Sequence, residues 1–176
     1  MRIVGGEFKG RIFTPGKSFK ARPTTDFAKE NLFNILENRI DWENTDALDL
    51  FSGTGSISYE LLSRGCRWVT AVEQNFRHYH YITTNKELLQ LQNFSVLRED
   101  AFRFIEKSKQ QFSLIFADPP FDLKRFDEVP EKVLASNLLT QDGVFILEHG
   151  KHQSFTNHKR LTETRSYGSV NFSFFK

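Results

Sequence analysis

The fold is decided by Asp46-Ala47-Leu48-Asp49-Leu50-Phe51-Ser52-Gly53-Thr54-Gly55. ALDLF (47–51) is short, apolar and bounded by a glycine turn, the pattern of a strand buried on both faces. The Ser-Gly-Thr-Gly that follows reverses the chain, and a helical pattern over 56–64 begins at once. The unit recurs downstream. WVTAV (68–72), FSVLR (94–98), SLIFA (113–117) and VFILEH (144–149) are short apolar runs, with helical patterns over 75–92, 101–109 and 127–136 between them. Such alternation predicts a parallel sheet with crossover helices, an α/β, Rossmann-like, doubly wound architecture. VNFSFF (170–175) alternates instead, and is expected to end the sheet as an antiparallel strand, paired with another near 161–165. Upstream, Thr24 or Thr25 is placed to cap a helix reaching about residue 39, with Ala28, Leu32, Ile35 and Leu36 on one face.

Ligands of open α/β sheets sit outside the carboxyl ends of the strands. Four of those ends are polar or glycine-bearing here: the 49–55 turn, Glu73, Asp100, and Asp118-Pro119-Pro120-Phe121. All four are expected to face one crevice. Gly53 and Gly55 allow a tight turn and a close backbone approach. Ser58 stands where a dinucleotide fingerprint places its third glycine, and Asp49 would repel a pyrophosphate. An acid there suits a sulfonium and an α-ammonium, which favours S-adenosylmethionine over a nicotinamide dinucleotide. Glu73 can accept both ribose hydroxyls. Asp100 can accept the adenine amino group, cap the helix at 101–109, or do both.

Asp118-Pro119-Pro120-Phe121 is the most specific feature. The lone pair of an exocyclic base amine is delocalised into the ring, so the nitrogen is a poor nucleophile. Accepting both of its N–H hydrogens draws it toward tetrahedral geometry, and the Asp118 carboxylate with the Pro119 main-chain carbonyl can do this together. Pro119 and Pro120 fix φ and bring no N–H donor. Phe121 can stack on a base taken out of its helix.

The 176 residues and 39% hydrophobic content suit one compact domain. No apolar run approaches the roughly 18 residues of a membrane span. The opening MRIVGGEFKG carries charges where a secretory signal is apolar, so a cytoplasmic protein is the expectation. Cys66 is the lone cysteine and reads as a small buried residue. The five histidines form no ligand cluster, and no metal site is expected. Charge is uneven. Arg2, Lys9, Arg11, Lys17, Lys20 and Arg22 face Glu7 alone within residues 1–25, a net +5 in a chain that totals +2. The basic, glycine- and proline-punctuated segment 1–23 reads as a β-hairpin extension that contacts nucleic acid, ahead of a catalytic domain at 24–176.

Together these residues resemble a known family. Asp-Leu-Phe-Ser-Gly-Thr-Gly followed by Asp-Pro-Pro-Phe is similar to the class I amino-methyltransferases. More particular are Met1 to Arg11 (MRIVGGEFKGR), Arg22-Pro23-Thr24-Thr25-Asp26, Glu30 to Leu36 (ENLFNIL), Leu61 to Gly65 (LLSRG) and the closing Tyr167-Gly168 with Phe172 to Phe175. These resemble the RsmD family of 16S rRNA (guanine-N2)-methyltransferases over essentially the whole chain. The resemblance implies a seven-stranded class I methyltransferase sheet and guanine 966 of 16S rRNA as target, in the small ribosomal subunit or its late precursor. It puts the methyl donor against Asp49, Phe51, Ser52, Gly53, Thr54 and Gly55, with Glu73 and Gln74 at the ribose and Asp100 and Ala101 at the adenine. Asp118, Pro119, Pro120 and Phe121 take the catalytic roles, and Arg22, Thr24 and Thr25 close over the donor or the RNA. S-adenosylhomocysteine is the implied product, and a monomer the expected state. The alternatives are N6-adenine methylation of DNA or RNA, and a non-catalytic RNA-binding assembly protein of the same fold.

Overall fold

The computed structural model describes residues 1–16 and 25–176. Lys17, Lys20, Arg22 and Thr24, assigned above to RNA or the donor, lie outside them. The described chain forms one seven-stranded sheet in the order β3-β2-β1-β4-β5-β7-β6. Five strands are parallel: β1 (Asp46–Leu50), β2 (Trp68–Val72), β3 (Phe94–Leu97), β4 (Phe112–Ala117) and β5 (Leu139–His149). The expected antiparallel ending is present. β7 (Val170–Phe175) runs between β5 and β6 (Leu161–Tyr167), antiparallel to both. β3 and β6 are the outer strands.

Among the described residues five α-helices cover the sheet: α1 (Asp26–Leu36), α2 (Ser56–Ser63), α3 (Phe76–Leu88), α4 (Ala101–Lys107) and α5 (Glu128–Ala135). Strand residues alternate between the two faces, as a period of two requires. Ala47, Val69, Leu114, Phe116, Ile146 and Phe172 join the core shared with α1 and α2. Leu48, Leu50, Ile115, Ala117, Phe145 and Leu147 join the core beneath α4 and α5. α1 and α4 end two to three residues earlier than expected, at Leu36 and Lys107, and two further boundaries differ for local reasons. α3 stops at Leu88 because Gln90 takes φ +54° and turns the chain back. β5 begins at Leu139, its ladder with β4 interrupted by a bulge before Leu114 and Val144. No helix among the described residues is long and apolar enough to cross a membrane.

The described part of the N-terminal segment folds back on itself, the Ile3 amide donating to the Arg11 carbonyl at 3.0 Å and the Phe13 amide to the Met1 carbonyl at 2.9 Å, and it also packs into the core. Its described part holds one antiparallel bridge, Arg2 with Ile12. Ile3, Val4 and Phe13 are buried, and Phe13 stacks on Tyr59 of α2 at 5.8 Å. A buried polar network fixes the segment. Glu60 of α2 accepts the Val4 amide at 2.8 Å and the Arg64 Nε–H at 3.1 Å. Lys29 of α1, 1% exposed, lies 4.0 Å from Glu60 and donates to the Arg2 carbonyl and to Ser56 Oγ. Burial lowers the lysine's pKa and Glu60 opposes that shift. Removing one member of a buried pair strands the other, whereas removing both charges does not. Glu60→Ala is therefore expected to lose about 3–5 kcal/mol in urea unfolding. The Lys29→Met/Glu60→Gln pair, which keeps an acceptor for Val4, should recover most of that loss.

Candidate active site

At the end of β1 the chain turns through three residues of positive φ, Phe51, Gly53 and Gly55. Phe51, not a glycine, sits at φ +60°, a position that costs a bulky residue about 1–2 kcal/mol. Its ring meets Phe102 of α4 edge-on at 6.1 Å. Gly55, at φ +73°, is the N-cap of α2. A Cβ there would lie 3.0 Å from Tyr59 and 3.2 Å from Ile82, so this glycine serves close packing. Two carboxylates hold the turn. Asp49 Oδ2 accepts from the Ser58 amide at 3.1 Å and from the Ser58 hydroxyl, bonding β1 to the first turn of α2. Glu73, at the end of β2, accepts the Gly53 amide at 2.8 Å through one oxygen and the Asn75 amide at 2.7 Å through the other. Each Glu73 oxygen keeps a second lone pair for a ligand.

The turn borders a cavity of about 560 Å³ at the carboxyl ends of the strands. Thr25, Asp49, Phe51, Ser52, Gly53, Thr54, Glu73, Gln74, Ala101 and all of Asp118-Pro119-Pro120-Phe121 line it. The strand-end residues just named converge on one crevice. Gly55 is not in the lining, for the packing reason just given. Asp100 caps α4, one oxygen accepting the Arg103 amide at 3.0 Å, and lines an adjoining depression with Gln74 and Glu99, which also line the main cavity. Sequence reasoning also missed Ile57, Val72 and Phe116, which supply an apolar floor, and His78 and Glu148, which supply polar wall. Alternation along VFILEH could have revealed Glu148, since it puts 146 and 148 on one face.

The electrostatics are those of an acid-lined site. Asp118 follows β4, its amide reaching the Leu50 carbonyl at 3.4 Å. Burial raises its pKa well above the ordinary 3.8, and the charges of Glu148 and Asp49 push the same way. Asp49 is 2% exposed. Burial raises its pKa to about 7, against the opposing Ser58 hydrogen bonds. Phe121, 47% exposed, stands at the mouth against Phe126, with ring centroids 6.4 Å apart. The cavity therefore has an apolar floor, carboxylates fit for a cation and for hydroxyl or amine donors, and an open aromatic lip. Among the described residues no group of His, Cys, Asp and Glu is arranged to hold a metal. Cys66 is buried, donates to the Thr45 carbonyl and has its thiol pushed up to about 12 by burial; so little thiolate leaves it unreactive.

Of the three described basic residues assigned to RNA, Arg2 pairs with Asp26 at 3.0 Å, Arg11 lies over the Phe8 ring and Lys9 is exposed. The Asp49 assignment has a consequence for stability. A carboxyl raised from 3.8 to about 7 on folding favours the folded state fully below the lower value, and that contribution is lost as pH rises through the upper one. Asp49→Asn keeps an acceptor for Ser58 and removes this dependence. Its stability relative to the parent chain should rise by about 1.4 kcal/mol per pH unit between those limits in urea unfolding, and level off above about 7.

Comparison with known proteins places this arrangement in a lineage. The Escherichia coli K12 protein named ribosomal RNA small subunit methyltransferase D is 29% identical over 148 residues, covering 84% of this chain and 74% of its own. The Haemophilus influenzae protein of the same name is 26% identical over 182 residues, covering 100% and 93%. The structure of a hypothetical protein from Thermus thermophilus, TTHA0928, superposes with a TM-score of 0.89 at 25% identity, covering 100% of this chain and 99% of that one. A family model, conserved hypothetical protein 95, matches residues 1–176, and the chain belongs to that family, which is the RsmD family of methyltransferases.

Proposed function

We propose that this chain transfers a methyl group from S-adenosylmethionine to the exocyclic N2 of a guanine in 16S rRNA, guanine 966 by its family. The observation that carries the reading is Asp118-Pro119-Pro120-Phe121 at the mouth of an acid-lined cavity, with Asp118 inside and Phe121 at the lip. The names of the curated relatives support an rRNA substrate. The donor set fits the methyl donor: Asp49 for its positive charge, Glu73 for the ribose hydroxyls, Glu99 and Ala101 at the adenine end, and Ile57, Val72 and Phe116 beneath. S-adenosylmethionine brings an electrophilic methyl on a sulfonium.

The chain's own residues do the rest. Phe121 stacks on the extruded base. The Asp118 carboxylate and the Pro119 carbonyl each accept one N–H of the amine, freeing its lone pair toward the methyl group. As the nitrogen–methyl bond forms and the sulfur–methyl bond breaks, the nitrogen becomes cationic and gives a proton to Asp118. The raised pKa of Asp118 makes it the better acceptor. Apolar surroundings strengthen each of these contacts. The N-terminal segment, with Lys9, Arg11 and the sequence-neighbouring Lys17 and Lys20, meets RNA phosphates. The enzyme works as a monomer in the cytoplasm, on the small subunit or its late precursor.

Labelled S-adenosylmethionine offered to small subunits lacking base methylation should yield N2-methylguanosine in the 16S digest by nucleoside mass spectrometry. Incorporation into adenine would replace this reading with its nearest rival, and donor binding without transfer to any nucleic acid would favour the assembly protein. Asp118→Ala is expected to bind the donor normally and to lower transfer by about 10²–10³-fold, the cost of losing one preorganised transition-state partner. Equal loss of donor affinity would remove Asp118 from that role. Neutralising Lys9, Arg11, Lys17 and Lys20 should flatten the salt dependence of RNA binding by about 0.7–0.9 log unit per lost phosphate contact.

A further inference from the structure

We infer that Glu148 selects guanine over adenine, its carboxylate accepting the ring N1–H beside the amine that Asp118 and Pro119 hold. The inference rests on the guanine-N2 reading above and names a residue that reading does not use.

The sheet puts the two carboxylates together. β4 and β5 pair in parallel with Phe116 opposite Ile146 and Ala117 opposite Leu147. One step further along the same register, Asp118 and Glu148 are neighbours across strands that lie about 4.8 Å apart. Alternation gives both side chains the same face, that of Phe116 and Ile146, while Ala117 and Leu147 join the opposite core. Glu148 is 3% exposed and belongs to the cavity wall. The next residue, His149, points away: its ring nitrogens meet Ser173 Oγ at 2.8 Å and the Gly150 carbonyl at 2.9 Å. Strand pairing with Phe172 on the far side leaves the carboxylate of Glu148 a fixed place in the row. Its charge reaches Asp118, whose pKa it helps to raise.

Two carboxylates held side by side repel one another, and a ligand edge rich in N–H donors relieves that repulsion. The Watson–Crick edge of guanine offers three neighbouring hydrogens, two on N2 and one on N1. The site offers three acceptors for them: Asp118, the Pro119 carbonyl and Glu148. Adenine offers two hydrogens on N6, and its N1 carries a lone pair that would face the Glu148 carboxylate. The Asp-Pro-Pro-Phe segment serves either purine amine, so the discrimination must come from a group beside it.

The test uses target RNA in which the methylated guanine is replaced by 2-aminopurine, which keeps the amine at C2 and carries a lone pair at N1. The unaltered enzyme should prefer guanine by about 10- to 100-fold in kcat/KM, the range for one charge-assisted hydrogen bond. Glu148→Gln should lower transfer to guanine and raise transfer to 2-aminopurine, because the amide can donate to the bare N1. Donor affinity should be retained. Equal fall on both bases would make Glu148 merely structural and overturn the inference. So would equal rates on the two bases with the unaltered enzyme, a measurement that needs no variant to fold. Failure of the guanine-N2 reading is seen separately, as absence of N2-methylguanosine with the natural RNA.

Discussion

The site depends on two carboxylates that bond to backbone amides of their own chain. Asp49 binds the first turn of α2 through Ser58, and Glu73 binds Gly53 and Asn75 at once. Without them the turn after β1 would present bare N–H groups and no defined path from strand to helix. With them, Phe51 can be held at a positive φ that its side chain disfavours, strain of the sort that persists only where surrounding bonds over-determine the backbone. The same two acids, with Glu99, Asp118 and Glu148, also line the cavity. One pair of side chains therefore both shapes the turn and contributes to the acidic lining. Burial of Asp49 opposes folding near neutral pH, a cost typical of a group kept for what it binds.

Much of the site is legible in the sequence because strand ends are legible. A short apolar run that stops at the Ser52–Gly55 turn, at Glu73 or at Asp118 announces both a strand and the point at which its side chains meet the crevice. What the sequence does not resolve is how two adjacent acids divide their roles. Glu99 and Asp100 are two carboxylates at one strand end; Asp100 also caps α4, and Glu99 lines both the main cavity and the depression it shares with Asp100. A glycine in such a loop can serve a ligand or the neighbouring helix, and at Gly55 the crowding by Tyr59 and Ile82 leaves no room for a side chain. Glu148 escapes notice because its neighbours form an unbroken apolar strand, in which one acid before a histidine reads as the strand's exit.

The N-terminal segment shows the opposite limit. Its basic, glycine-punctuated sequence reads as an arm, yet Ile3 and Phe13 belong to the core shared with α1 and α2, and Val4 is buried beside them. The physical reason is Lys29 and Glu60, two charges whose positions on helices look solvated in sequence. Neither betrays that the other lies opposite, since the pairing spans elements far apart in the chain. Because Lys29 also donates to Ser56, a cavity-lining residue, the segment is bonded to the same helix start that Asp49 holds. The N-terminus and the cavity-facing end of α2 thus share one support.

The outer strands bear on how such an open sheet avoids sticking to its own copies. A sheet with two outer edges offers templates for strand addition and hence for aggregation. On one side β3 spans only Phe94–Leu97, too short to recruit a long partner. On the other, β6 runs Thr162-Glu163-Thr164-Arg165-Ser166, and Glu163 is engaged by both Arg39 and Arg165. An incoming strand would have to pair with a polar, charged ladder and disturb those ion pairs. The edges thus carry their own protection against fibril-like growth, and the apolar faces of the sheet can remain strongly hydrophobic without making it adhesive.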